Sequence, residues 1–161
     1  MKKFRVITVI LTIALCVLIF MLSHQNSEKS SATSRGLIAK FVAIFVDDFE
    51  ELPLERQEEL CAPFQFIVRK SAHFIAYFSL GILSFLSVLT YQKSLKFKLL
   101  LSGAFCFLYS VSDEIHQLFV KGRSGEIRDV FIDTCGAVLG ILLVYCILRF
   151  KKSKRFCQFL K

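Results

Sequence analysis

Residues Val6–Leu22 read VITVILTIALCVLIFML, a run without charge, proline or glycine, preceded by Lys2, Lys3 and Arg5. A bilayer's hydrocarbon core needs about 20 helical residues at about 1.5 Å rise each, so this run plus its flanks can cross it. A basic start before an apolar run also describes a secretory signal peptide. The run is long for one, however, and no Ala-x-Ala cleavage site follows it. Ile13-Ala14-Leu15-Cys16 resembles a lipoprotein box only faintly, with Leu15 where a small residue belongs. The expectation is an uncleaved helix.

Working outward, three more apolar blocks follow: Phe74–Tyr91, a block from Lys98 that stays uncharged to Ser112, and Val130–Leu148, whose one charge is Asp133. The expected fold class is therefore all-α membrane, with four transmembrane helices at about 6–24, 72–91, 98–118 and 130–149. Residues 1–161 read as a single domain without an internal repeat. Composition agrees: mean hydropathy is +0.58, 55% of residues are hydrophobic, and there are only two prolines. The net charge of +8 does not point to nucleic acid, because the basic residues flank apolar blocks instead of forming a soluble patch. The six cysteines lack zinc-type spacing, and most lie inside apolar blocks as small side chains.

The charges give a direction. With both termini on the cytoplasmic side, the inner segments hold twelve basic and no acidic residues, among them Lys93, Lys96, Lys98, Arg149 and Lys151. All 13 acidic residues then face the other side, in segments short enough for the positive-inside rule to act. The outer loop, 25–71, opens with the serine-rich stretch Ser27–Ser34. It then places Leu37, Ile38, Phe41, Phe45, Phe49 and Leu52 on one helical face, which predicts an amphipathic helix at about 36–52. That helix either lies on the outer leaflet or forms a lid over the helix ends. Pro53 and Pro63 each suit a first helical turn, and the stretch after Pro63 runs on into the second spanning helix.

Polar residues enter the membrane from three helices at a similar depth. An acid at the bilayer centre costs about 2.5–3.5 kcal/mol on insertion scales, less near the edge, so such groups face a bundle interior or a wet cavity. Lys70, His73, Tyr77, Gly81 and Ser84 share one helical stripe. Ser102, Cys106, Tyr109, Asp113, His116 and Gln117 share a second; Asp129, Asp133, Gly136 and Gly140 share a third. Gly136-x-x-x-Gly140 is a small-residue motif that lets helices approach closely. The turn between the last two helices carries Lys121, Arg123, Glu126 and Arg128 beside Gly122 and Gly125.

Arg69-Lys70-x-x-His73-Phe74-x-x-Tyr77-x-x-x-Gly81, Ser112-Asp113-Glu114-x-His116-Gln117, Arg123, and Asp129-x-x-x-Asp133-x-x-Gly136-x-x-x-Gly140 together resemble the VanZ-like family. The resemblance covers roughly Phe20 to Gly140. It implies a small protein of the bacterial cytoplasmic membrane; the family's named member is linked to resistance against the glycopeptide teicoplanin. It supplies no molecular activity.

Three readings of the polar residues stay open. In a structural one, Arg69, Lys70, Asp113, Glu114, His116, Arg123, Asp129 and Asp133 form ion pairs that fix helix packing. In a binding one, Arg69, Lys70, Arg123 and Arg128, with Gln117, Asp129 and Asp133, hold an anionic lipid or cell-wall precursor, arginine's fork being suited to phosphate. In an enzymatic one, His116 or His73 is a general base oriented by Asp113 or Asp133, with Glu114 beside them and Tyr77 or Arg123 facing an oxyanion. No cofactor is expected, although His73, His116, Asp113, Glu114 and Asp133 have the donor atoms for a divalent metal. The bilayer is the one partner that composition names. Oligomeric state is not legible.

Overall fold

The computed structural model describes residues 2–24, 36, 38–46, 48–122 and 125–159, with side chains as far as 150. Every regular element among them is helical: α1 (Lys2–Ser23), a short helical segment at 38–43, a 3-10 turn at Phe49–Glu51, α2 (Leu54–Leu89), α3 (Leu95–Gln117) and α4 (Ile127–Phe159). All four long helices are long and apolar enough to cross a membrane. Their outward surfaces are strongly apolar, with Ile10, Ile13, Met21, Leu100, Leu108 and Phe131 among the exposed large side chains, as lipid-facing positions require.

The helices alternate in direction. Arg5, at the start of α1, lies over the Tyr91 ring just past the end of α2, 5.1 Å from its centroid. The ammonium of Lys98, near the start of α3, donates to the Leu89 carbonyl at 2.7 Å. These contacts gather basic residues at one end of the bundle. The end of α1, the middle of α2, the end of α3 and the start of α4 meet at the other.

The α2/α4 interface is the most extensive, and glycine makes it so. A Cβ on Gly136 would lie 2.6 Å from the Phe74 carbonyl oxygen. On Gly140 it would run into the Phe78 carbonyl, and on Gly81 into the Ala137 backbone. The two backbones therefore touch, which is how helices gain dispersion contacts in lipid, where no hydrophobic drive between them exists. Helix α1 packs chiefly on α2 and only lightly on α3. Ile19 joins Tyr77, Leu80, Cys106 and Ala137 in a core shared by all four helices. Two polar ties add to it: Thr12 and Ser87 hydroxyls lie 3.1 Å apart, and the Tyr109 hydroxyl donates to the Cys16 carbonyl at 2.6 Å.

Three expected boundaries differ. The second spanning helix begins at Leu54 instead of about 72, so the outer loop is much shorter than 25–71. Its first turns are rich in good helix formers, Leu54-Glu55-Arg56-Gln57-Glu58-Glu59-Leu60, and Pro53 in extended geometry starts it. Pro63 thus sits inside the helix and not in a first turn; it and Glu59, whose carbonyl it frees, are both exposed. At 36 residues α2 is about 54 Å long, well beyond the roughly 30 Å hydrocarbon core, so one end projects from the bilayer. The last helix runs to Phe159 instead of about 149, because the basic tail contains no breaker.

The amphipathic segment is also shorter than 36–52. After residue 43 it gives way to a turn and the 3-10 segment, and it folds against the projecting part of α2. Ile38, Val42, Phe49 and Cys61 form its core, while Phe41 and Phe45, expected on the buried face, are largely exposed. The covered side is the one that meets α2 through Cys61 and Leu60. Leu37 and Ser27–Ser34 lie outside the described residues. An apolar groove of about 330 Å³ remains between Phe41, Val42, Phe45, Val46, Leu60 and Phe64.

Candidate functional site

At the polar end, α2 contributes His73 and Tyr77, α3 contributes Ser110, Asp113, Glu114 and Gln117, and α4 contributes Asp129 and Asp133. Each helix supplies residues three or four apart, so each set lines one inward stripe. Tyr77, Ser110 and Asp133 are wholly enclosed, and Asp113, Glu114 and Gln117 are buried. Ligand atoms of His73, Asp113, Glu114 and Asp133 all lie within 4.8 Å of one another. Three acids and an imidazole thus share a space the size of one hydrated ion.

The carboxylates are oriented from outside that space. Ser23, at the end of α1, donates to Asp113 Oδ2 at 2.9 Å, and Gln117 donates to the same oxygen at 3.5 Å. Gln117 also donates to Glu114 Oε1 at 3.2 Å, and the Glu126 backbone N–H donates to Glu114 Oε2 at 2.8 Å. Gly125 makes the last bond possible, since a Cβ there would lie 2.8 Å from the Glu114 carbonyl oxygen. Ser110 donates to Asp133 Oδ2 at 3.4 Å. What is left over is informative. Asp113 Oδ1, Asp133 Oδ1 and the Tyr77 hydroxyl are buried and make no hydrogen bond, although His73 Nδ1 stands 3.6 Å from Asp133 Oδ1. Such atoms are rare in folded proteins and call for an explanation. At an effective dielectric of about 20, two like charges 5 Å apart repel by about 3 kcal/mol, so these acids can be ionised together only beside compensating positive charge and otherwise take up protons.

Lys70 does not supply it. One helical turn away, its buried ammonium is held by Asp129 and by Glu126 Oε2 at 3.3 Å. Arg128 completes that network through Glu126 at 3.3 Å, and both cations stack on Phe66. Burial opposes the charge on Glu126, but the Lys70 ammonium and Arg128 guanidinium outweigh it and hold the carboxyl below the ordinary carboxylate range.

The sequence-predicted residues therefore separate into groups. His73, Tyr77, Asp113, Glu114, Gln117 and Asp133 come together. Lys70 and Asp129 form the neighbouring ion-pair network. His116 turns the other way, packing against Phe20 at 4.5 Å between ring centroids, with its Nε2 3.2 Å from His24 Nδ1. Of the two histidines weighed as a base, the geometry puts His73 beside an aspartate. Arg69 and Arg128 are exposed, and Arg123 lies outside the described residues. Ser23 and Ser110 were missed. Ser110 could have been found, three residues before Asp113 on the same stripe; Ser23 carried no signal, because only the packing of α1 brings it to Asp113.

Residues 8–149 match the VanZ/LLP1 family model, nearly the whole apolar part of the chain. The protein is a member of the VanZ/LLP1 family. No curated protein and no solved structure matches it. The matched VanZ/LLP1 region takes in α1 from Thr8, all of α2 and α3, α4 as far as Arg149, and every residue of the polar pocket.

Proposed function

We propose that this VanZ-type protein binds an anionic lipid or cell-wall precursor at the outer face of the bacterial cytoplasmic membrane, in the pocket between α2, α3 and α4. The observation that carries this reading is the set of buried, unpartnered oxygens on Tyr77, Asp113 and Asp133. Thr90 and Thr134 also carry a buried hydroxyl without a partner, but the other three such atoms gather here. Each costs several kcal/mol in an apolar bundle, and a bound polar group would satisfy them together. Two further features support a lipid-bearing ligand. The apolar groove at Phe41, Phe45 and Phe64 lies along α2, about nine residues or about 14 Å from His73. Arg69 and Arg128 are exposed and next in sequence to the buried Lys70 and Asp129, where an anionic headgroup would meet them. The termini-inside orientation, and with it the outer placement of the pocket, is supported by the basic inner segments.

A second reading is favoured by one contact. His73 beside Asp133, with Tyr77 next to both acids, is an arrangement suited to proton abstraction inside the membrane, so that the bound lipid is also a substrate. His73 then takes the proton, Asp133 orients the imidazole, and Tyr77 faces the developing negative charge.

The test is expression of wild type, Asp133→Asn and His73→Gln in a glycopeptide-susceptible Gram-positive host. Membrane insertion, teicoplanin susceptibility and co-purifying anionic lipid per chain are measured together. Reduced susceptibility and lipid retention in wild type, both lost in variants that insert normally, is the expected result. Equal lipid retention in all three proteins would sink the binding reading.

A further inference from the structure

We propose that His73, Asp113, Glu114 and Asp133 bind a single divalent metal ion of the Mn²⁺ or Zn²⁺ class. This deepens the reading of the pocket as the working site, on which it rests. Four observations lead to it. First, the donors converge: one imidazole nitrogen and three carboxylates, from three different helices, come within 4.8 Å of one another. Second, the donors stand slightly wider than ligands on an ion and wider than hydrogen-bond partners. His73 Nδ1 and Asp133 Oδ1 are 3.6 Å apart, too long for a hydrogen bond. Two donors each about 2.1 Å from a shared ion sit about 3.0–3.5 Å apart, so a bound ion would draw the set in by small side-chain shifts.

Third, the carboxylates are dressed as metal ligands are. Metal-binding residues are held from behind by neutral donors that leave the coordinating atoms free. Ser23 and Gln117 hold Asp113 by Oδ2, and Ser110 holds Asp133 by Oδ2. Oδ1 of each is left buried without a hydrogen bond. Glu114 is held through both oxygens, each retaining a second lone pair. Fourth, among the described residues no lysine or arginine is paired with these acids: Lys70 is occupied by Asp129 and Glu126. One nitrogen among oxygens suits Mn²⁺, Fe²⁺ or Zn²⁺ better than Mg²⁺ or Ca²⁺, which prefer oxygen alone. The Tyr77 hydroxyl, near Asp113 and Asp133 and without a hydrogen bond, would be a further polar group beside a bound ion. An ion there would hold a phosphate-bearing headgroup that the acids alone would repel.

The experiment uses the full chain in detergent micelles, treated with chelator and then equilibrated with Mn²⁺, which avoids the six cysteines that would compete for Zn²⁺. Bound metal per chain is read by mass spectrometry of the elements and by loss of the free-Mn²⁺ resonance signal. Wild type is expected to hold close to one ion. Asp133→Asn and His73→Gln are expected to weaken binding at least about 100-fold, and Ser110→Ala, which keeps every ligand, about 10-fold. His116→Gln, outside the donor set, should bind as wild type. Circular dichroism reports folding; should Asp133→Asn fail to fold, Ser110→Ala and His73→Gln carry the comparison. Folded wild type with less than a tenth of an ion per chain at millimolar Mn²⁺ overturns the proposal, as does undiminished binding in the ligand variants. A bound ion with no difference in lipid retention would instead sink the lipid reading and leave the metal site standing. Lost lipid retention in Asp133→Asn without any metal in wild type does the reverse.

Discussion

Two charged assemblies stand a helical turn apart at the same end of the bundle, and they are built on opposite principles. In the Lys70–Asp129–Glu126–Arg128 network each carboxylate meets a cation, and the cations also stack on Phe66. It is closed. In the His73–Tyr77–Asp113–Glu114–Asp133 pocket three acids meet one imidazole, and three buried oxygens have no partner. It is open. Both sit in an apolar bundle where charge is costly: the closed network ties α2 to α4, and the open one is the site proposed above to take a ligand. Family membership alone cannot draw this line, because both sets of residues lie within the matched region.

The comparison breaks most readily at Lys70. Lys70→Ala leaves Asp129 buried beside an empty place and should destabilise the fold by about 3–5 kcal/mol, seen as lost folded yield and a lower melting temperature in detergent. A melt indistinguishable from wild type would mean that the closed network does not hold the bundle. Next comes the scaffold both assemblies share. Gly140→Val drives a side chain into the Phe78 carbonyl and should cost about 3 kcal/mol, while disturbing both assemblies together. The open pocket should respond differently. In chelator-treated protein, Asp133→Asn removes one of three crowded acids, keeps an oxygen for Ser110, and should leave stability within about 1 kcal/mol of wild type while abolishing function. A loss as large as that of Lys70→Ala would erase the distinction.

The smallest effect is a pH dependence of the closed network. Glu126 has its carboxyl depressed in the fold, so its contribution is complete above the ordinary value of 4.5 and disappears as pH falls through the folded value. Because its side chain is 32% exposed, solvent screens the pair and the loss should be slight. Melts from pH 6 to pH 3 of wild type and Glu126→Gln should converge at the acid end.

Much of this was legible beforehand. The four apolar blocks set the number of spanning helices, because length and hydropathy are properties of the chain and the bilayer alone. Helical periodicity placed Tyr77, Asp113 and Asp133 on inward stripes, and the Gly136/Gly140 spacing marked the face that packs. The amphipathic segment was less legible: its apolar residues predicted a buried face, but whether Phe41 or Val42 is covered depends on which of them meets Cys61 and Leu60 of α2.

What only the tertiary structure decided is pairing. The same list of charges was compatible with arginines gripping an anion, with His116 as a base, or with ion pairs throughout. Rotation of each helix about its axis decides which side chains meet, turning His116 toward His24 and Phe20 and His73 toward Asp133. Those rotations come from backbone contact at glycines and from Ser23 reaching Asp113 across the bundle. A linear sequence states which stripe a residue is on. It does not state which stripe faces which, because that is settled by the packing of one helix on another.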